Sequence, residues 1–331
     1  MFERLWVVVL LVAMSSCSRT VETKFELKSH LLLSSKELAR TGFDAVDPSH
    51  LIMLVEDKIY LISNIEGILV RFSKEGKAER LYVAKGQGPG EFQNPRNIFR
   101  YDPETIAVFD MMKSQLLLFD NDLNFKKSID IGRKEHEEFY NVMRSGSATY
   151  AFGSFKGNYL ALLKNDLRVE KKFRKIPTIA TFKHIYPRLL YAAYLLNDSE
   201  IAATSWMYFS EHCKVDIIDA NTQQINTSLS WESPVSPTQE DVTARRNLYA
   251  CLRVLKAGHR YVVETEFKKE ENQRHRQFEL IVFDENGTYL TQMKTLYVLI
   301  TTNEEHGSRI YFVDEKDNVC YWEVGENWPW K

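Results

Sequence analysis

Residues 85–98 read Lys85-Gly86-Gln87-Gly88-Pro89-Gly90-Glu91-Phe92-Gln93-Asn94-Pro95-Arg96-Asn97-Ile98, and two apolar runs follow, Ile106 to Phe109 and Leu116 to Phe119, with Asp120 behind the second. The stretch opens as a glycine-rich turn. Gly86, Gly88 and Gly90 are expected to take positive φ in a crowded crossover, with Pro89 fixing the turn between two of them. Phe92 is the anchoring aromatic, expected to pack into a seam between neighbouring units, and Pro95 ends the crossover before a strand. The two apolar runs then form a hairpin.

Working outward, the second half of this unit recurs along the chain. Ile68 to Phe72 leads through Ser73-Lys74-Glu75-Gly76 into Ala78 to Val83. Leu116 to Asp120 leads through Asn121-Asp122 into Phe125 to Ile131. The same order holds for Leu160 to Leu163 before Val169 to Phe173, Val215 to Asp219 before Ile225 to Trp231, and Leu280 to Asp284 before Tyr289 to Met293. Val319 to Trp322 closes the series. Each is an apolar strand, a tight turn bearing Asx or Gly, and a more polar return strand. A recurrence of this length is the mark of a blade. The expected fold is therefore all-β, a single six-bladed β-propeller.

The sixth unit has no return strand of its own, so an N-terminal strand from about Val21 to Leu33 is expected to pair with the last blade and close the ring. Closure removes the sheet edge that invites aggregation. The wide spacing between Ile218 and Phe283 requires an insertion. Ser236, Pro237 and Gln239 have the pattern of an N-cap, a helix-start proline and an N3 glutamine, which predicts a short helix over about 236–249.

The N-terminus lies outside this fold. Arg4 precedes the apolar Leu5 to Met14, and Ser15 and Ser16 stand just before Cys17. Ten apolar residues are too few for a permanent span, which needs about twenty, but they suit a secretory signal. Residues 1–16 are read as a signal peptide and 17–331 as the mature domain. Acylation at Cys17 would supply the chains needed for stable anchoring. Three cysteines remain, Cys213, Cys251 and Cys320, which allow at most one disulfide and have no C-x-x-C spacing, and they read as buried apolar residues. With 43 basic and 45 acidic side chains the net charge is −2, which gives no case for nucleic acid.

Gly86 to Ile98 resembles an NHL-type repeat: spaced glycines, Phe, Pro, then Ile. Asp110, Phe119 and Asp120 continue the match, while Lys113, Ser114 and Gln115 depart from the Asn, His and Arg of that repeat. With its lipobox-like N-terminus, the chain is similar to the six-bladed NHL-like and TolB-like propeller lipoproteins of Bacteroidetes. The resemblance implies shape and membrane attachment, and no particular reaction.

Signals for chemistry are sparse. The glycine spacing is neither a P-loop nor a dinucleotide fingerprint, and no helix pattern follows it. The eight histidines form no H-x-H or H-x-x-x-H pair. Ser154 lacks a nucleophile elbow. Asp47, Asp110, Asp198 and Glu264 read as turn caps, with a ligand set on the channel face as the functional alternative. Trp206 to Phe209 reads as inter-blade core in preference to a carbohydrate platform. Lys268 to Arg276 reads as a solvated hairpin tip of blade five. No cofactor or metal is expected. The expectation is a non-enzymatic cell-envelope lipoprotein presenting a propeller face to a protein or glycan, anchored through Cys17 in the outer membrane and facing the periplasm, with the cell surface as the alternative location. The alternative is a propeller enzyme of lactonase, lyase or glycosidase type with its site at the central channel.

Overall fold

In a computed structural model the chain forms six four-stranded antiparallel sheets. The structure describes residues 29–43, 51–55, 58–63, 65–132, 135, 137–175, 191–205, 212–232, 234, 248–268, 277–295, 298–302, 309–314, 316 and 318–324. Blade one is β2 (Leu51–Val55), β3 (Lys58–Ser63), β4 (Ile68–Ser73) and β5 (Ala78–Val83). Blade two is β6 (Pro95–Asp102), β7 (Thr105–Asp110), β8 (Gln115–Asp120) and β9 (Phe125–Asp130). Blade three is β10 (Glu137–Ser145), β11 (Ala148–Phe155), β12 (Asn158–Leu163) and β13 (Val169–Lys175). Blade four is β14 (Tyr191–Asn197), β15 (Glu200–Ser205), β16 (His212–Asp219) and β17 (Ile225–Glu232). Blade five is β18 (Leu248–Ala257), β19 (Arg260–Lys268), β20 (Gln277–Asp284) and β21 (Tyr289–Thr295).

Blade six takes β22 (Val298–Thr302), β23 (Arg309–Val313) and β24 (Val319–Glu323) from the end of the chain and β1 (Ser29–Leu33) from its beginning. β1 runs antiparallel to β24, with Ser29 opposite Trp322 and Leu33 opposite Val319. The expected N-terminal closure is thus seen over Ser29–Leu33; residues 21–28 of that expectation lie outside the described set. First strands of successive blades lie side by side all round, β2 with β6, β6 with β10, β10 with β14, β14 with β18, β18 with β22 and β22 with β2.

The core sits in the seams between blades. Tyr60, Leu69, Phe92, Val108 and Phe119 fill the seam of blades one and two, while Leu33, Ile59, Val70, Phe72 and Val319 fill that of six and one. Second and third strands are covered on both faces, so β7 is buried at every residue. Outer strands such as β9 face water on one side and carry the charge. Third-to-fourth turns of five blades place one residue at positive φ: Gly76 (78°), Leu123 (63°), Leu167 (59°), Gln223 (60°) and Gly287 (85°). In blades two, four and five an aspartate, Asp120, Asp219 or Asp284, accepts the turn's amides on its carboxylate.

Two departures from expectation concern helices. Of the helix predicted over 236–249, Leu248 and Tyr249 belong to β18 instead, and 236–247 lie outside the described residues. Part of the insertion length is taken up by β18 and β19, long strands of 10 and 9 residues. A helix absent from the sequence reading, α1 (Ser35–Arg40), follows β1. Ser34 caps it, accepting from Glu37 N at 3.2 Å, and Ser35 N donates to Asn318 Oδ1 at 2.9 Å.

Strand alternation divides the disc. One face carries the crossovers and the second-to-third connections; the other carries the first-to-second and third-to-fourth turns.

Candidate functional site

On the crossover face, residues 84–94 bridge blades one and two as a small closed loop. Phe92 N donates to Ala84 O at 2.7 Å, Gly86 N to Phe92 O at 3.0 Å and Glu91 N to Gly88 O at 3.1 Å. Blade two grips this loop from below. Asp110, fully buried at the end of β7, accepts from Gln93 N at 2.6 Å, Asn94 N at 3.2 Å and Lys113 N at 3.1 Å. Lys113 Nζ then donates to Gly88 O at 2.8 Å and Glu91 O at 2.7 Å. Blade one holds the other side, where Lys85 Nζ donates to Ile65 O at 2.7 Å and the Tyr82 hydroxyl donates to Gly90 O at 3.3 Å. Backbone carbonyls that would otherwise need water are satisfied by two lysines, so the loop is a fixed surface.

The residues singled out in the sequence converge here. Phe92 and Phe119 are buried in the seam with ring centroids 5.8 Å apart, and Tyr82 meets both edge-on. Gly90 sits at φ 80°, where a Cβ would lie 2.6 Å from the Tyr82 hydroxyl and 3.0 Å from the Phe125 ring. Pro95 opens β6 and is buried. Asp120 lies on the opposite face, holding its turn through Asp122 N and Asn124 N. Burial pushes its carboxyl up, but those amides and the Asn124 side chain outweigh it and hold the carboxyl below its usual range. Burial, helped by the Glu91 charge, pushes the Tyr82 phenol up.

Gly88 corrects the sequence reading, since it does not take positive φ. Its role is close approach: its N–H donates to Glu91 Oε2 at 2.6 Å, and a Cβ there would stand 3.0 Å from the same oxygen. Lys113 and Glu91 are the residues the sequence reading missed. The signal available was the departure from the repeat at Lys113, a cation three residues beyond an aspartate, Asp110, that the fold buries.

Around the fixed loop, Ile65, Val83 and Met112 are 54%, 62% and 64% exposed. Other candidates do not join it. Asp198 lies in the first-to-second turn of blade four, where its carbonyl accepts from Ser145 Oγ. Glu264 is buried within β19 opposite Arg253. Ser154 sits in β11 opposite Glu138. Asp47, Trp206 to Phe209 and residues 269–276 of the charged run lie outside the described residues. Cys213, Cys251 and Cys320 are buried, as expected, and all three are free thiols. Burial pushes Cys213 up to about 12. Among the described residues no three His, Cys, Asp or Glu side chains are grouped to hold a metal, and no helix is long and apolar enough to cross a membrane.

Residues 44–213 match the family DUF5128, described as a 6-bladed beta-propeller, and the chain belongs to that family. No curated protein sequence matches the chain. Among solved structures it is similar to a Bacteroides fragilis protein named as a candidate exported protein, at TM-score 0.60 and 12% identity over 90% of this chain and 94% of that one. A DUF4221-family member from Bacteroides vulgatus matches at TM-score 0.55 and 11% identity, over 84% and 92% of the two chains. A luciferin-regenerating enzyme matches at TM-score 0.52 and 10% identity, over 90% and 96%. At such identities these likenesses show the fold alone.

Proposed function

We propose that this six-bladed propeller is an exported lipoprotein of NHL-like type, acylated at Cys17, that acts by presenting its crossover face to a protein or glycan partner in the cell envelope. The observation that carries the reading is the loop at residues 84–94, locked by Asp110, Lys85 and Lys113 and flanked by exposed Ile65, Val83 and Met112. A surface already rigid loses little conformational entropy on binding, and isolated apolar side chains around it supply contact area. Asp110, Glu137, Glu200 and Asp216 are committed to bonds within and between blades, which supports the binding-module reading.

The twelve residues from Cys17 to Lys28 reach at most about 40 Å when extended. Anchored there, the ring stays beside its membrane, tethered through blade six. With no acidic run after Cys17, the periplasmic side of the outer membrane is the assigned location. The test is a pull-down from solubilised envelopes with the anchored chain as bait, run beside a Met112→Asp, Val83→Asp double variant. A partner captured by the first and lost by the second is expected; equal capture by both would overturn the assigned face. Protease shaving of intact cells should leave the protein whole, and Cys17→Ala should release it from the membrane fraction.

A further inference from the structure

The third-to-fourth turn of a blade leans on the outer strand of the blade before it. Between blades six and one the contact is made at Gly76, where a Cβ would lie 2.2 Å from the Leu32 carbonyl oxygen. Between four and five it is made at Gly287, where a Cβ would lie 2.7 Å from Thr227 Oγ1 and 2.8 Å from the Ser228 carbonyl oxygen. Thr227 Oγ1 also donates to Asn286 O at 2.9 Å. Glycine thus lets the strand seat directly on the turn.

Between blades one and two the same turn position is Leu123, whose side chain is buried in the seam core. Here the turn meets β5 through side chains. Arg80 Nε lies 3.6 Å from Asp122 Oδ1, which also accepts from Arg71 Nη1 at 3.2 Å. A cleft of about 520 Å³ opens between Arg80, Leu81 and Tyr82 on one side and Asp122, Asn124 and Phe125 on the other. That volume falls within the range of small-molecule sites, about 300–1,000 Å³.

The lining has two chemical halves. Tyr82 and Phe125 are half-buried aromatics standing on the seam cluster. Arg80, Asp122 and Asn124 are planar polar groups at the mouth, and the Arg80 and Asp122 side chains are 55% and 58% exposed. Because the guanidinium and carboxylate neutralise one another, the cleft favours an uncharged ligand. A flat ring with an apolar face and a rim of hydroxyls matches both halves.

We propose that this cleft binds one neutral hexopyranose unit of a polysaccharide, its apolar face against Tyr82 and Phe125 and its hydroxyls bonded to Asp122, Arg80 and Asn124. The inference rests on the binding-module reading and adds to it a second site, for a glycan, beside a third-to-fourth turn and apart from the crossover loop. An open cleft of this kind holds a single sugar unit weakly, with a dissociation constant of about a millimolar.

The test is saturation-transfer NMR of the full chain with cello-, malto-, manno- and β-1,4-galactotetraose, repeated on Arg80→Ala, Asp122→Ala and Thr227→Ala. Saturation transfer to at least one tetraose is expected. It should weaken about tenfold or more in the first two variants, roughly the loss of a charged hydrogen bond, and be unchanged in the third. Both mutated cleft side chains are over half exposed, so melting temperatures should match the parent chain. No transfer to any tetraose, or equal binding by the parent, Arg80→Ala and Asp122→Ala, would overturn the proposal. If a protein is still captured through Met112 and Val83 while the sugars fail, the cleft alone is refuted. If both experiments fail, the binding-module reading falls with it.

Discussion

Asp110 offers the sharpest test of how the crossover loop is held. Its carboxylate accepts three backbone amides, from Gln93, Asn94 and Lys113, while having no exposure to solvent. Hydrogen bonds to a charged group contribute about 1.5–3 kcal/mol each, and stranding the partner adds a desolvation cost. Gln93 and Asn94 are half-buried, so water can recover part of that loss in an Asp110→Ala variant. A destabilisation of about 3–5 kcal/mol results, which for a chain of this size lowers the melting temperature by roughly 4–8 °C. Asp110→Asn keeps one acceptor oxygen and should fall between the two. Calorimetry reads the overall change, and hydrogen exchange reads its location: the amides of Gln93 and Asn94 should lose protection well before those of β8. A melting temperature within about 2 °C of the parent chain, with unchanged exchange at both amides, would show that Asp110 does not hold the loop.

Other consequences are more local. Gln223 sits at φ 60°, so Gln223→Gly should relieve left-handed strain and stabilise by about 0.5–1 kcal/mol, read as a small rise in melting temperature; a fall would mean that its bond with Lys171 outweighs the strain. Burial of Glu200 pushes its pKa up, yet hydrogen bonds from Lys256, Asn197 and Tyr261 prevail and hold it below its ordinary value of 4.5. Because the folded value is the lower one, its stabilisation is present above about pH 4.5 and is lost as pH falls through the folded value. Melting curves at pH 7 and pH 4 should therefore differ more for the parent chain than for Glu200→Gln. Burial pushes the thiols of Cys213 and Cys320 up to about 12 and about 11, and that of Cys251 further still, so a thiol reagent at pH 8 should label none of them before denaturant is added. Rapid labelling of the native chain would contradict their burial.

The parts of the fold legible in the sequence were those whose burial is one-sided or complete along a whole strand. β8 and β9 differ as the repeat predicts, Leu116 to Phe119 sealed on both faces and Phe125 to Asp130 wet on one. The missing return strand of the last unit pointed directly to β1. Local signals left an element's end open where tertiary pairing decides it. Ser236, Pro237 and Gln239 suggest a helix start that lies outside the described residues, and the last two residues of the expected helix, Leu248 and Tyr249, pair instead with Lys268 and Phe267 across blade five. The six-residue helix α1 is too short to show a period. At the site, the repeat pattern identified Asp110 and Phe92 by type. That Lys113 would turn back onto Gly88 and Glu91 depends on the distance between a crossover and a second-to-third turn, which no local pattern encodes.

The third-to-fourth turns show how a repeat can carry function without a motif. Five of them share one backbone geometry with a residue at positive φ, and glycine is the residue this geometry costs least. Where glycine is present, at Gly76 and Gly287, the neighbouring strand closes on the turn and the seam is filled by backbone. Leu123 accepts about 1 kcal/mol or more of backbone strain, offset by burying its side chain beside Phe119. The consequence appears on the outside of the ring, where the turn stands off from β5 and leaves Arg80, Tyr82, Asp122 and Phe125 around an open cleft. Leucine at this position, as at Leu167, buries a side chain in the seam, and beside Leu123 an open cleft lies outside it. Leu123→Gly should separate the two effects: it removes the buried side chain, lets β5 approach the turn, and should lower stability and abolish any sugar-dependent signal together. Sugar binding that survived in a folded Leu123→Gly chain would show that the cleft does not depend on Leu123.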